Sequence, residues 1–256
     1  METIASRKNP KIMHMRALGR NRKFREETGL ALCDGKKLFA EALAAGLEII
    51  CLLTCDDRLS TGDVPAFLVT PELLAYVSPL KTPQQVLFTC RVPQPLPPRT
   101  DGRGVIVLDG VQDPGNLGAI LRSADAFRME QVILLPGTAD LYSPKTIRSA
   151  MGAVFRQPVR AMDYEELAAL LKERALRLVG ADLGAEADDP RDMDFSNVAV
   201  AIGAEGQGLG ETVLSMCRGR VQIPMNAACE SLNAGVAASI IMWEIYRSPD
   251  SEVSHE

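Results

Sequence analysis

"VIVLDGVQDPGNLGAILRSADAF", residues 105–127, decides the fold. An unbroken apolar run ends at Asp109, and after a short turn Leu117, Ile120, Leu121, Ala124 and Phe127 recur at helical spacing. An apolar strand feeding an amphipathic helix is the repeating unit of a parallel sheet covered on both faces. The alternation continues through QVILLP (131–136), a helix opening at Ser143-Pro144, FRQPV (155–159) and DYEELAALLKERA (163–175). It then runs through LRLVGAD (176–182), VAVAIG (198–203), a short helix near 209–216, RVQIP (220–224) and a last helix ending near Arg247. The fold class predicted is α/β, and ligands of such sheets bind beyond the carboxyl ends of the strands.

Upstream, VPQPLPPRTDGRG (92–104) interrupts the pattern with four prolines and two glycines and reads as a stiff spacer. Before it, LALCD (30–34), KKLFAEALAAG (36–46), LEIICLLT (47–54), FLVT (67–70), PELLAYV (71–77) and VLFTC (86–90) make a smaller α/β unit. The expected organisation is therefore a domain over 1–91, a linker over 92–104, a larger domain over 105–247 and a disordered tail over 248–256.

Composition narrows the function. The only two histidines, His14 and His255, lie near the chain ends, so a Ser-His-Asp or Cys-His unit or a histidine zinc site is a poor reading, and no metal is expected. Six cysteines are scattered without a CxxC pair and are expected as free thiols. No run of about 18 apolar residues is present. The start, METIASRKNPKIMHMR, lacks the apolar stretch of a signal peptide, so a cytoplasmic protein with no membrane partner is expected. The net charge of −5 hides an asymmetry: residues 1–37 hold ten Lys/Arg against four acids, a net of +6, which leaves −11 for the rest. A basic arm on an acidic body suits a phosphate-backbone partner, although a solvated amphipathic helix has the same pattern.

Three strand ends carry polar groups. After VIVLD, Asn116 is the expected helix cap, and Gly118, Arg122 and Asp125 share the face opposite the apolar stripe. Gly118, one turn before Arg122, leaves room beside the guanidinium; an Arg122–Asp125 pair at i+3 is the plainer reading. After VAVAIG, "GAEGQGLG" (203–210) puts four glycines in eight positions, a backbone that turns tightly or lies against a ligand. It matches neither the dinucleotide fingerprint nor a phosphate loop. After the Ile223-Pro224 strand end, "ESLNAGVAAS" (230–239) gives Ser231 as the expected cap, Asn233 inside the first turn, and small residues that let the helix approach another backbone. Taken alone, the first is explained by capping, packing and that ion pair, the second by a glycine-rich surface loop, and much of the third by a capping serine and close packing.

Together they resemble the SpoU/TrmH branch of the SPOUT class of RNA ribose 2′-O-methyltransferases. The family's first motif, an Asn followed six residues on by an Arg, is matched by Asn116 and Arg122. Its second, a Gly-Glu-Gly run after a strand, is matched by Gly203, Glu205, Gly206 and Gly208. Its third, Ile-Pro and then Ser-Leu-Asn entering a helix, is matched by Ile223, Pro224, Ser231, Leu232 and Asn233. SAMGAVFRQPV (149–159) is similar to the segment between the first two motifs. The family commonly reads Val-Ser where Ala234 and Gly235 stand here.

The resemblance covers about residues 104–247 and implies a trefoil-knotted domain, an N-terminal ribosomal-protein-like RNA-binding domain, and a homodimer. It implies a pocket for S-adenosylmethionine formed by Gly203, Ala204, Glu205, Gly206, Gly208, Ile223, Pro224, Met225, Ser231, Leu232 and Asn233. The catalytic set it implies is Asn116, Arg122, Glu205, Ser231 and Asn233. Ribosomal RNA is preferred to transfer RNA as substrate, by analogy with members that carry such an extra domain. A base N-methyltransferase and a non-catalytic RNA-binding protein on the same fold are the rival readings.

Overall fold

The computed structural model describes residues 1–182, 187–226, 228–229 and 231–248; most of the expected tail lies outside them. Two units emerge: Met1–Gln94 joined by Asp140–Arg156, and Pro95–Ala139 joined by the chain from Gln157 onward.

The first unit runs β1 (Glu2–Thr3), α1 (Pro10–Arg20), α2 (Arg22–Thr28), β2 (Leu30–Asp34), α3 (Lys36–Ala44), β3 (Ile49–Thr54), β4 (Ala66–Leu68), α4 (Pro71–Val77) and β5 (Val86–Arg91). Its sheet has the order β1-β4-β3-β5-β2, parallel at β1/β4 and β4/β3, antiparallel at β3/β5 and β5/β2. Strand alternation sends Leu32, Leu53 and Leu87 to one face, where they pack with Ile12, Met15 and Leu18 of α1 and Leu73, Leu74 and Val77 of α4. Phe88 points the other way onto Phe39 of α3, edge to face at 5.4 Å. Prolines at the first helical position follow the caps Asn9 and Thr70, which fixes where α1 and α4 begin. All six cysteines are unpaired.

The second unit contains β6 (Val105–Asp109), α5 (Pro114–Ala126) and β7 (Gln131–Leu134); α6 (Pro144–Ala150) falls in the excursion that belongs to the first unit. Then follow β8 (Val159–Ala161), α7 (Tyr164–Glu173), β9 (Arg177–Ala181), β10 (Val198–Gly203), α8 (Glu211–Met216), β11 (Gly219–Val221) and α9 (Ala234–Arg247). The six strands form a wholly parallel sheet in the order β11-β9-β10-β6-β7-β8. Val105, Val107, Ala199 and Ala201 pack with Leu167 of α7 and Val213 of α8. The alternating Ile106, Leu108, Val200 and Ile202 are also buried, on the face that α5 and α9 cover.

Three local expectations change. The strand expected at 155–159 begins only at Val159, because Ala153–Phe155 forms a 3-10 turn that packs within the first unit. Asp140–Arg156, expected inside the larger domain, instead joins the smaller one, tied by Arg25 to Asp140 and by Arg148 Nη1 to the Thr82 carbonyl at 2.6 Å. The second half of the proline-rich stretch, expected as a spacer outside both domains, is fastened to the second unit. Arg99 N–H donates to the Glu130 carbonyl at 3.1 Å, and Arg103 N–H to the Arg128 carbonyl at 3.0 Å. A Cβ on Gly102 would lie 2.4 Å from the Glu130 Cα, so only glycine fits that crossing.

Candidate active site

At the carboxyl end of β10 the glycine-rich stretch folds back on itself. Ala204 N–H donates to the Gly208 carbonyl and Gly208 N–H to the Ala204 carbonyl, each at 2.9 Å. Gly206 (φ 76°) and Gly208 (φ 70°) take the left-handed backbone this tight hairpin needs. A Cβ on Gly203 would stand 2.1 Å from the Gly208 carbonyl carbon, so the first glycine is obligatory. The far end of the hairpin is pinned from the neighbouring strand: buried Asp109 accepts Gly210 N–H on Oδ2 at 2.8 Å and the Tyr164 hydroxyl on Oδ1 at 3.3 Å. Burial and then this carboxylate push the Tyr164 hydroxyl up from its ordinary value.

The hairpin, the strand end after β11 and the entry to α9 enclose a cavity of about 600 Å³. Gly203, Ala204, Glu205, Gly206, Gly208, Ile223, Met225, Ser231, Leu232 and Asn233 all line it. Pro224 is not part of its wall, nor are Asn116 and Arg122. Sequence reasoning missed Ala181, Asp182, Ile202, Gln207, Val221, Gln222, Ala234, Ala237 and Ile241, which complete the lining among the described residues. Asp182 had a usable signal, an acidic residue just past an apolar parallel strand; it pairs with Arg220 at 3.0 Å.

Asn233 is the hub, and its position corrects two expectations. It is the N-cap of α9, its Oδ1 accepting Gly235 N–H at 3.0 Å and Val236 N–H at 3.3 Å; Ser231 lies two residues too early to cap. Its Nδ2 donates to Asn116 Oδ1 at 3.0 Å and to Glu205 Oε1 at 3.4 Å, so three sequence-distant residues form one chain. Asn116 is not a cap either: Asp113 caps α5, accepting from Gly115 and Asn116 N–H groups at 2.7 and 3.0 Å, with Pro114 at the first helical position. The thinned turn after Asn233 has its explanation in close approach. A Cβ on Gly235 would meet Asn233 Oδ1 at 3.2 Å, Ala119 Cβ at 3.5 Å and Asn116 Oδ1 at 3.6 Å.

Arg122 stands on the exposed side of α5, two turns from Asn116. Its expected partner Asp125 is engaged by Arg99 at 2.7 Å, and among the described residues Arg122 has no hydrogen bond or ion pair. No cation pairs with Glu205 among the described residues.

The donor set suits S-adenosylmethionine. The volume is that of a site for a drug-sized ligand. Ile202, Val221, Ile223, Met225, Leu232 and Ile241 supply apolar wall, the glycine hairpin supplies backbone polar groups without side-chain bulk, and Glu205 supplies negative charge for a cationic ligand.

Residues 103–243 match the SpoU rRNA Methylase family, and residues 9–87 match an MRM3-like substrate binding domain. The chain is 31% identical over 250 residues to the 23S rRNA (guanosine(2553)-2′-O)-methyltransferase RlmP of Bacillus subtilis (strain 168), covering 96% of this chain and 99% of that one. A solved RNA 2′-O ribose methyltransferase superposes with a TM-score of 0.83 at 32% identity, over 96% of this chain and 98% of its own. The SpoU methyltransferase AviRb of Streptomyces viridochromogenes, solved in complex with AdoMet, gives 0.84 at 28% identity, over 94% and 98%. This chain belongs to the SpoU RNA methylase family.

Proposed function

We propose that this protein transfers a methyl group from S-adenosylmethionine to a ribose 2′-hydroxyl of ribosomal RNA. The observation that carries the reading is the Glu205–Asn233–Asn116 chain at the wall of a cavity shaped by the glycine hairpin. When bound, S-adenosylmethionine supplies an electrophilic methyl on a positively charged sulfur. The displacement is in line, so the residues contribute mainly by holding the ribose oxygen in register and excluding competing nucleophiles.

Gly203, Ala204, Glu205, Gly206, Gly208, Ile223, Met225, Ser231, Leu232 and Asn233 hold the methyl donor in this reading, with Pro224 shaping the turn. Arg122 grips an RNA phosphate and stabilises the forming alkoxide. A guanidinium keeps its charge through the whole working pH range, so it acts as a donor rather than as the base. Its exposure, and the absence of a partner among the described residues, leave its fork available to RNA. Asn116, fixed by Asn233, orients the ribose; Glu205 holds Asn233 and compensates positive charge in the pocket.

Ribosomal rather than transfer RNA is favoured by the named activity of RlmP and by the match of the N-terminal residues to a substrate binding domain. Some cations of the basic segment 1–37 make part of that contact. A homodimer is favoured by an apolar strip on α5 and α9, where Ala119, Gly235, Val236, Ile240 and Trp243 flank Asn233 and Trp243 is 47% exposed. The trefoil-threaded path implied by the family would bring the hairpin, the Ile223-Pro224 turn and Asn233 together in this way. A cytoplasmic location is favoured by the named rRNA substrate of RlmP; among the described residues no helix is long and apolar enough to cross a membrane.

Calorimetric titration with S-adenosylmethionine, followed by methylation of ribosomal RNA with labelled donor and nuclease digestion, tests the reading. Saturable binding and label on a 2′-O-methyl nucleoside are expected. Label on a base would favour a base N-methyltransferase, and donor binding that is absent would favour a non-catalytic RNA-binding protein.

A further inference from the structure

The ten cations of residues 1–37 are not equivalent, and the structure sorts them. On α2, Arg22 pairs with Glu26 at 2.8 Å and Lys23 with Glu27 at 3.8 Å, each one helical turn apart, so their fields are locally cancelled. Arg25 is buried and held by Asp140 and by the Leu18 carbonyl. Around α1 the pattern is different. Arg7, Lys11 and Arg16 have no acidic partner among the described residues. They lie instead against two aromatic rings of the same unit: Arg7 and Arg16 stand 4.7 and 4.2 Å from the centroid of Tyr76 on α4, and the Lys11 ammonium 5.1 Å from that of Phe67 on β4. Arg16 Nε also donates to the Tyr76 carbonyl at 3.1 Å, which fixes its plane.

We propose that Arg7, Lys11 and Arg16, ordered over Tyr76 and Phe67, form the RNA-backbone contact of the N-terminal unit, and that the α2 cations take no part. Ring contacts leave the charge of each cation intact while restricting its long side chain, so less freedom is lost when a phosphate docks. Three ring-supported cations on one short stretch, none with an acidic partner among the described residues, match the spaced charges of an RNA strand, and each phosphate neutralised releases counterions. The proposal rests on the RNA-methylating reading above and names where that substrate is gripped.

The test is the salt dependence of binding by the full chain to an in vitro transcript of large-subunit ribosomal RNA. Each backbone contact adds about 0.7 to 0.9 to the slope of log affinity against log salt. Arg7→Gln/Lys11→Gln/Arg16→Gln is expected to flatten the slope by about two to three and to weaken low-salt binding by about tenfold or more. Its affinity for S-adenosylmethionine is expected to match that of the unaltered chain. Arg7→Gln/Lys11→Gln, which leaves the Arg16 hydrogen bond in place, guards against a folding defect and should flatten the slope by about two. Arg22→Gln/Lys23→Gln should leave the slope unchanged. If the first two variants keep the full slope, or the α2 variant loses as much, the surface is overturned while the methyltransferase reading stands. A chain without substitutions that binds no RNA at any salt overturns both.

Discussion

Asn233 uses both ends of its carboxamide, the oxygen to cap α9 and the nitrogen to reach Asn116 and Glu205. The two roles separate by substitution. Asn233→Ser keeps a capping oxygen and loses the donor, so thermal stability should stay near that of the original chain while methyl transfer falls by at least about tenfold. Asn233→Ala should lose the cap as well, costing about 1 kcal/mol in denaturation experiments. Arg122→Lys keeps the charge and loses the planar fork; turnover should fall while calorimetric affinity for the methyl donor is preserved. Near-normal turnover in that variant would remove Arg122 from the alignment role. At this scale the sequence was legible for residue types and not for partners. Asp113, Asn116, Ser231 and Asn233 are all competent caps, and only backbone geometry decides between them. Arg122 and Asp125 are spaced for a pair, yet Arg99, from the fastened linker, takes the carboxylate.

Elements were legible wherever burial on both faces leaves an apolar run: β2 and β6 lie at 30–34 and 105–109 as read. The excursion Asp140–Arg156 was not, because its Ser143-Pro144 helix start has the same local signature in either unit. Its attachment rests on buried chemistry. Arg25 and Asp140 form an ion pair with side chains 8% and 19% exposed, and Arg25 Nε is buried without a partner among the described residues. Removing one member of such a pair leaves an uncompensated charge, so Asp140→Ala should destabilise by about 3–5 kcal/mol in chemical denaturation, and Arg25→Met by clearly less. Tyr142, in the same excursion, has its hydroxyl pushed up to about 12, chiefly by burial and further by the nearby Cys90 and Asp140. A folded value above the unfolded one, near 10, means this contribution is complete below pH 10 and is lost as pH rises from about 10 through 12. The loss is about 2–3 kcal/mol. Tyr142→Phe should remove that part of the alkaline decline in melting temperature.

On the scale of the whole molecule, the parallel sheet creates the site by ending β6, β9, β10 and β11 at a common edge, with the hairpin anchored by Asp109. The glycine run announced a tight backbone, but the clamp from Asp109 to Gly210 spans 101 residues and leaves no local trace. If copies pair through the α5–α9 strip, Trp243→Glu should sediment as a monomer in analytical ultracentrifugation where the unaltered chain sediments as a dimer. In this reading one cavity, built by the glycine hairpin, the strand end after β11 and the entry to α9, delivers a methyl group to an RNA ribose that Asn116 and Arg122 hold beside it. The most direct test is nucleotide-resolution mapping of 2′-O-methylation in ribosomal RNA from cells with and without this gene. A discrete 2′-O-methyl mark should disappear with the gene and return with the intact protein but not with Gly203→Ala, whose Cβ would strike the Gly208 carbonyl. An identical 2′-O-methylation profile in all of these cells would contradict the reading.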